Sequence, residues 1–553
     1  MTNGGLMFNP VSRPANTKIH AQGNNRYVYV TLKKKYDPEK KYNVDDRRSI
    51  GKMIDDTMMM PNDFYFEYYN IDKPLEEAPE ISDTLSVGNY FLFSCLFDEL
   101  GLSRLLSNVY EEYGPLFQDI ASYLIIEETS ALQHYESYAF NHPSFAKKIY
   151  SDTRISEILH EPSLPTHDLF LEKWNLMHAE IEDIYISYDS TNMNSAADGI
   201  DLLEYGHSKD EGSDLPQLNV SVGFDQTTLT PLFYETYPGS VVDKTQCEIM
   251  IQKVRKYGYK NIGFILDRGY FTLDNLRYFE DNHYNYIIMA MGNARFVRPA
   301  IEETKYKVKK SKYYLAEYGV YGMNADYKLI IDENRGRYMH VYYNPLSAVN
   351  EQRSILNKLA KYDEELNKLV ATKTALKATA DKYKKYYTLE YHEGYLIGYT
   401  RKENEIDKVL EECGYFVIVT SKEMDSKEAL YRYRHRDTSE KLFMMGKSFL
   451  ETDVIRTHHT ESTETKEMLN FIALIIRNRI FKEIKPLKIE DSKNYTTRAV
   501  IKELGKIIMT KDSKGKYNLR YALTSKQKNI LSMFGINESK IQNMARELSE
   551  SLK

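Results

Sequence analysis

Between Tyr431 and Ser448 the chain reads YRYRHRDTSEKLFMMGKS, two carboxylates, several cations and two phenols with no glycine or proline before Gly446. Arg, Leu, Met, Lys and Glu are good helix formers, so the spacing predicts a helix. At about 100° per residue, Tyr433, Arg436, Glu440 and Lys447 fall within an arc of roughly 60°. Leu442, Met445 and Phe449 gather on the opposite side, where a core would want them. Two more acids, Asp189 in DIYISYDST and Asp267 in NIGFILDRGYF, stand at or near the ends of apolar, strand-like runs. A carboxylate in such a place is costly unless it is paired, hydrogen-bonded or bound to metal. Three acids from three elements, with no Cys or His cluster beside them, suit hard oxygen-preferring cations such as Mg²⁺ or Mn²⁺. Two such ions would stabilise the attacking and leaving oxygens of an in-line phosphodiester displacement. Arg436 and Lys447 would then meet phosphates of a nucleic acid, Arg in bidentate fashion and Lys as a point charge.

The elements that must carry these residues follow from hydrophobic periodicity. DIYISYDST alternates as a strand, PQLNVSVGF and TPLFYETYPG read as a hairpin across DQTT, and DKTQCEIMIQKVRKYGYK is an amphipathic helix ending at a turn. NIGFILDRGYF is a strand stopping at Asp267, followed by the helix TLDNLRYFEDNH and the strand YNYIIMAMG. Strand, hairpin, helix, strand, helix, strand is the order of an α/β domain with a mixed sheet. Residues 1–82 hold an N-terminal strand (RYVYVTL) and a basic segment whose Lys33, Lys34, Lys35, Lys40, Lys41, Arg47 and Arg48 are diluted by acids. Residues 83–181 are helical, a DNA-binding or assembly region. Residues 182–292 form the first part of the core and 413–485 the second, carrying the Glu440 helix. Residues 293–412 read as an inserted subdomain of strands and a heptad helix with Ile355, Leu359, Tyr362, Leu366 and Leu369 as its seam. Residues 486–553 are a tail of short helices.

Bulk properties narrow the class. The 553 residues suggest several domains, and the net charge of −6 gives no global case for nucleic acid, so any such binding must be local. No apolar run is long enough for a membrane span, and the N-terminal residues lack the pattern of a secretory signal. Cys95, Cys247 and Cys413 have no pairing logic, which points to a reducing compartment.

The spacing Tyr433-x2-Arg436-x3-Glu440-x6-Lys447 resembles the Y-x2-R-x3-E-x6-K signature of bacterial insertion-sequence transposases of the DDE type. YISYDSTNMNS, LDRGYFT, GHSKDEGSDLPQ (Gly206 to Gln217) and PGSVVDKT (Pro238 to Thr245) look like blocks of the same family. The resemblance covers roughly residues 20–485. It departs from the pattern at Gly212, where an arginine is often expected, and at Ser439, where an apolar residue commonly precedes the Glu. It implies a ribonuclease-H-like mixed-sheet core interrupted by an inserted β-plus-helical-hairpin subdomain, with a mostly helical N-terminal region. It further implies Asp189, Asp267 and Glu440 as catalytic ligands of two Mg²⁺ or Mn²⁺ ions, and Tyr433, Arg436 and Lys447 as contacts to transposon-end DNA. The implied activity is binding of terminal inverted repeats, cleavage of the element's ends and joining of 3′-hydroxyls to target DNA. A homodimer on paired ends and a cytoplasmic, nucleoid-associated setting come with it.

Other readings compete. A catalytically silent, domesticated or decayed relative would bind the same ends without cutting, and a ribonuclease-H-like nuclease or resolvase would cut without joining. Taken alone, Asp267-Arg268-Gly269 is an ordinary strand-ending turn with an Asp cap, and Arg436 with Glu440 an ordinary i,i+4 pair. MGKS at Met445–Ser448 lacks the glycine a phosphate-binding loop needs at position 441, which is Lys. His458 and His459 have no third ligand in view and read as surface or DNA-facing.

Overall fold

A computed structural model describes residues 10–552 except 24, 38–41, 73–79, 179–182, 207–214, 242, 260, 291–296, 327–328, 333–334, 373–380, 437–454 and 485–494. It is a mixed α/β protein built around one large sheet. Its strands are β1 (Asp183–Asn194), β2 (Gln217–Asp225), β3 (Pro231–Pro238), β4 (Asn261–Leu266), β5 (Asn285–Met289), β6 (Val320–Asn324), β7 (Arg335–Tyr343) and β8 (Tyr415–Thr420). They lie in the order β6-β7-β8-β5-β4-β1-β2-β3, with Tyr314–Leu315 beyond β6 and Leu329–Asp332 paired to β7. β1, β4 and β5 run parallel, while β2, β3 and β8 are antiparallel to their neighbours.

Strand alternation splits the apolar side chains between two faces. On one, Ile184, Ile186, Ile262, Phe264 and Leu266 join the main core with the helices α1 (Gly114–Glu127) and α2 (Leu164–Leu176). Trp174 fixes α2 to the sheet by donating its indole N–H to the carbonyl of Pro231 at 2.9 Å. The connections between the parallel strands supply α3 (Asp243–Arg255) and α4 (Leu273–Asp281). On the opposite face Ile265, Ile287 and Ile418 meet Tyr342, Leu430 and Tyr433.

The insertion departs from expectation. β6 and β7 are not part of a separate unit; they extend the main sheet, because β8 lies antiparallel beside β5 and its far edge needs a partner. Arg337 of β7, itself buried, seals this addition by pairing with Glu280 at 2.8 and 3.1 Å, and Glu280 also accepts from the Tyr286 hydroxyl. What stands apart is smaller, and among the described residues its long helix is packed against strands as well as helices. The helix α5 (Pro345–Ala371) lays its seam residues Ile355, Leu359, Tyr362, Leu366 and Leu369 against Tyr383, Tyr387, Leu396 and Ile406. Those come from the short helix Asp381–Lys384, the hairpin Tyr387–His392/Tyr395–Arg401 and the helix Glu403–Glu412, so the seam is covered within the chain.

After β8 come α6 (residues 426–436) and α7 (Thr460–Ile484). EMLNFIALIIRNRIF carries apolar residues around the whole helix, and α7 is buried along most of its length between the α1 layer and β3, with Glu467, Asn470, Arg477 and Asn478 buried among them. The tail is not helices alone. Ile508–Lys511 pairs with Tyr517–Leu519 and with Thr84–Ser86, a small sheet joining distant parts of the chain. The N-terminal residues form a five-stranded sheet whose longest pair is Asn25–Asp37 with Tyr42–Met53. No described helix is long and apolar enough to cross a membrane.

Candidate active site

The parallel pairing of β1 with β4 matches Ile265 to Ser187. Carried two residues further, the same register sets position 267 level with position 189 on the neighbouring strand. Asp267 is the first residue past β4. Its Oδ1 accepts the N–H of Arg268 at 2.6 Å and caps the short 3-10 turn Arg268–Tyr270. The cap fixes the carboxylate at the end of the strand while leaving the side chain 43% exposed, within reach of a ligand. Asp189 pairs through its backbone with Val222 of β2.

α6 crosses the sheet face over these positions. Burial of Leu430 and Tyr433 against Ile265 and Ile287 seats it, each full burial contributing roughly 1.5–3 kcal/mol. Tyr433 is 4% exposed, so its ring belongs to the core and not to the nucleic-acid-facing stripe the helical spacing suggested. The reason is tertiary: the side of α6 bearing Tyr433 is the side turned to the sheet. Arg436 follows it inward. Its side chain is 7% exposed, its guanidinium stacks on the Tyr433 ring at 5.2 Å, and Nη2 stands 3.9 Å from Asp267 Oδ1. Desolvating a guanidinium is expensive unless an anion shares the site, and Asp267 is one such anion. Toward solvent, Arg432 caps the Tyr185 ring at 5.0 Å and pairs with Glu428. Glu440 and Lys447 lie outside the described residues, as does most of Gly206 to Gln217. The structure therefore brings Tyr433, Arg436 and Asp267 together at the end of β4, level with position 189. Among the described residues no group of three or more His, Cys, Asp or Glu could hold a metal ion. Asp267 offers one hard oxygen ligand of the kind a divalent cation takes.

Sequence reasoning missed the layer beneath. Tyr188 donates to Glu235 Oε2 at 3.0 Å, Gln246 Nε2 donates to the same oxygen at 3.2 Å, and Ser221 donates to the Tyr188 hydroxyl. Burial pushes the Glu235 carboxyl above its ordinary range, against the pull of Lys253 and of those two donors. Tyr270, at the end of the Asp267 turn, packs edge-on to Tyr188 at 5.6 Å and donates to Ser190 Oγ at 3.4 Å. Asn275 holds that turn by donating to the Tyr270 carbonyl at 2.8 Å. The two aspartate-bearing segments are thus tied through Tyr188, Ser190 and Tyr270. The signal in the sequence was a lone acid, Glu235, inside the apolar strand PLFYETYP.

The family model described as "Transposase DDE domain" matches residues 185–476, a span that includes Asp189, Asp267 and Glu440. No curated protein sequence matches the chain. Among solved structures the chain is similar to a piggyBac transposase synaptic complex with hairpin DNA, at 8% identity over 84% of this chain and 85% of that chain, with a TM-score of 0.37. It is also similar to a Mos1 transposase paired-end complex with left transposon end, at 12% identity over 40% of this chain and 65% of that chain, with a TM-score of 0.14. At those scores neither likeness bears on the site.

Proposed function

The chain belongs to the transposase DDE domain family, and from that footing we propose that it binds the terminal inverted repeats of its element, cleaves the ends and joins their 3′-hydroxyls to target DNA. The observation that carries this reading is the parallel register of Ile265 with Ser187, from which positions 267 and 189 each lie two residues on, with Arg436 of α6 3.9 Å from the Asp267 carboxylate. The strand order β3-β2-β1-β4-β5, parallel in its last three members, supports a ribonuclease-H-like core. Asp189, Asp267 and Glu440 would hold divalent cations, Mg²⁺ or Mn²⁺ and in all two. Such ions, when bound, polarise the scissile phosphate and lower the cost of charge on the attacking and leaving oxygens. The chain's own part is positional. Arg268 N–H and Arg436 orient the Asp267 carboxylate, and the Tyr188–Tyr270 contact keeps the two aspartate segments at a fixed separation. End cleavage and joining are the same in-line displacement with a different nucleophile, water or a 3′-hydroxyl, so one site serves both. Lys447 is assigned to the DNA backbone, and pairing of two ends on a homodimer fits the family.

The test is Glu440→Gln. It is expected to abolish Mg²⁺-dependent cleavage of the element's ends and to leave end binding in a gel-shift assay nearly unchanged. Cleavage at the wild-type rate would remove Glu440 from the site and with it the three-acid reading.

A further inference from the structure

A cavity of about 450 Å³ lies where the start of α7 meets the helix Asp152–His160. Ile155 and Leu159 form an apolar wall, and the Lys466 side chain lines the cavity although it is only 5% exposed. Among the described residues Lys466 makes neither a hydrogen bond nor an ion pair within 4 Å. The adjoining Glu467 accepts from Asn470 at 3.1 Å and attracts the Lys466 charge without a hydrogen bond to it. An ammonium has three donors, and with no acceptor among the described residues they are left to whatever occupies the cavity. Burial pulls its pKa below the ordinary lysine range, against the attraction of the adjoining Glu467 carboxylate and with the help of the nearby Arg456 guanidinium.

The rest of the cavity has the same polarity. Arg456, steered by a hydrogen bond to Ser130 at 3.2 Å, stands at its edge beside His459. The first turn of a 25-residue helix, with the Ser462 hydroxyl, adds the positive end of a backbone dipole. Asp152 is the acid in the lining, and it is exposed at the rim. The volume exceeds that of a lone tetrahedral anion, and the apolar wall suits a sugar attached to it. The segment before α7 is hydrogen-bonded to the end of the Asp189 strand, Ile455 N–H to the Asn194 carbonyl at 3.3 Å, and the Asp201 N–H donates to Thr460 at 3.0 Å.

We propose that this cavity is a phosphoryl-binding site in which the Lys466 ammonium meets one phosphate of a DNA strand. The phosphoryl chemistry stands on the cavity; naming DNA as its source rests on the transposase reading. The experiment compares the full-length wild type with Lys466→Met, Lys466→Arg and Arg456→Gln. Inorganic phosphate is the first probe, read by thermal melting. A short duplex ending in the element's terminal sequence is the second, read by fluorescence anisotropy at several salt concentrations. Phosphate is expected to raise the melting midpoint of the wild type and of Lys466→Arg, and not that of Lys466→Met. Duplex affinity is expected to fall roughly tenfold in Lys466→Met, with a slope of log affinity on log salt smaller by about 0.9, the loss of one phosphate contact. A phosphate response with unaltered duplex binding would overturn DNA as the source and keep the phosphoryl site. Equal responses of wild type and Lys466→Met to both probes would overturn the site itself. If Lys466→Met fails to fold, Arg456→Gln at the rim carries the comparison: a weaker response to both probes supports the site, and an unchanged one overturns it. A wild type that responds to phosphate but binds no duplex would count against the transposase reading alone.

Discussion

At the residue scale, Arg436 changes meaning once its surroundings are known. Helical spacing groups it with Glu440 and Lys447, and the chemistry of guanidinium suggests a phosphate contact. In the structure it is enclosed, stacked on Tyr433 and 3.9 Å from Asp267, which suits a residue that orients an acid. Arg436→Met is therefore expected to weaken Mg²⁺-dependent end cleavage roughly 10- to 100-fold, the usual effect of losing a partner of a metal-ligating carboxylate. End affinity and its salt dependence should change little. Loss of affinity with cleavage intact, in a paired binding and cleavage assay, would return Arg436 to the DNA. The place of Asp267 just past the end of a strand was legible because an acid ending an apolar run stands out. The inward turn of Tyr433 was not, since residue type and spacing fix the angle between side chains on a helix and not the helix's rotation against the sheet.

At the element scale the succession of strands and helices from Asp183 to Met289 follows the sequence pattern closely, because each strand is bounded by turn residues and each helix is amphipathic. The joining of β6 and β7 to the main sheet was hidden, since edge pairing is decided by which edge lies open and no local pattern records that. A buried carboxylate in α1 was equally silent. Asp119 accepts from Ser144 Oγ at 2.6 Å and from the N–H groups of Phe145 and Ala146 at 2.7 and 2.9 Å, pinning that turn to the helix. Burial pushes its pKa up to about 7 even though the three donors pull it down. Asp119→Ala orphans all three and is expected to lower stability by roughly 2–4 kcal/mol, seen as a lower urea midpoint. A midpoint shift near zero would mean the turn finds other acceptors.

At the scale of the whole molecule, two buried histidines tie elements together, His167 between helices and His340 across three adjacent strands of the sheet. His167 bridges the Tyr110 hydroxyl at 2.9 Å and the Thr465 hydroxyl of α7 at 3.1 Å; His340 of β7 bridges Asn324 of β6 at 2.9 Å and Thr420 of β8 at 3.0 Å. Burial holds both imidazoles down at about 4, below the ordinary 6.5. In the window between those values the unfolded chain binds more protons than the folded one, so stability falls as pH is lowered from about 6.5 toward 4. The slope is about 1.4 kcal/mol per pH unit for each histidine. The melting midpoint should drop across that window, and His167→Gln should flatten the drop; an identical profile would remove His167 as a cause. Mixed α/β class was readable from the whole sequence, while the route by which its ends meet was not. The strand Ile508–Lys511 lies beside Thr84–Ser86, and Asn89 donates to the carbonyl of Ile501 at 3.1 Å. During synthesis, then, the helical layer remains open along one edge until the segment Ile508–Lys511 has emerged. A message broken before that segment would yield a chain with that edge bare, exposed to proteases and to sticking before it could compete with intact copies.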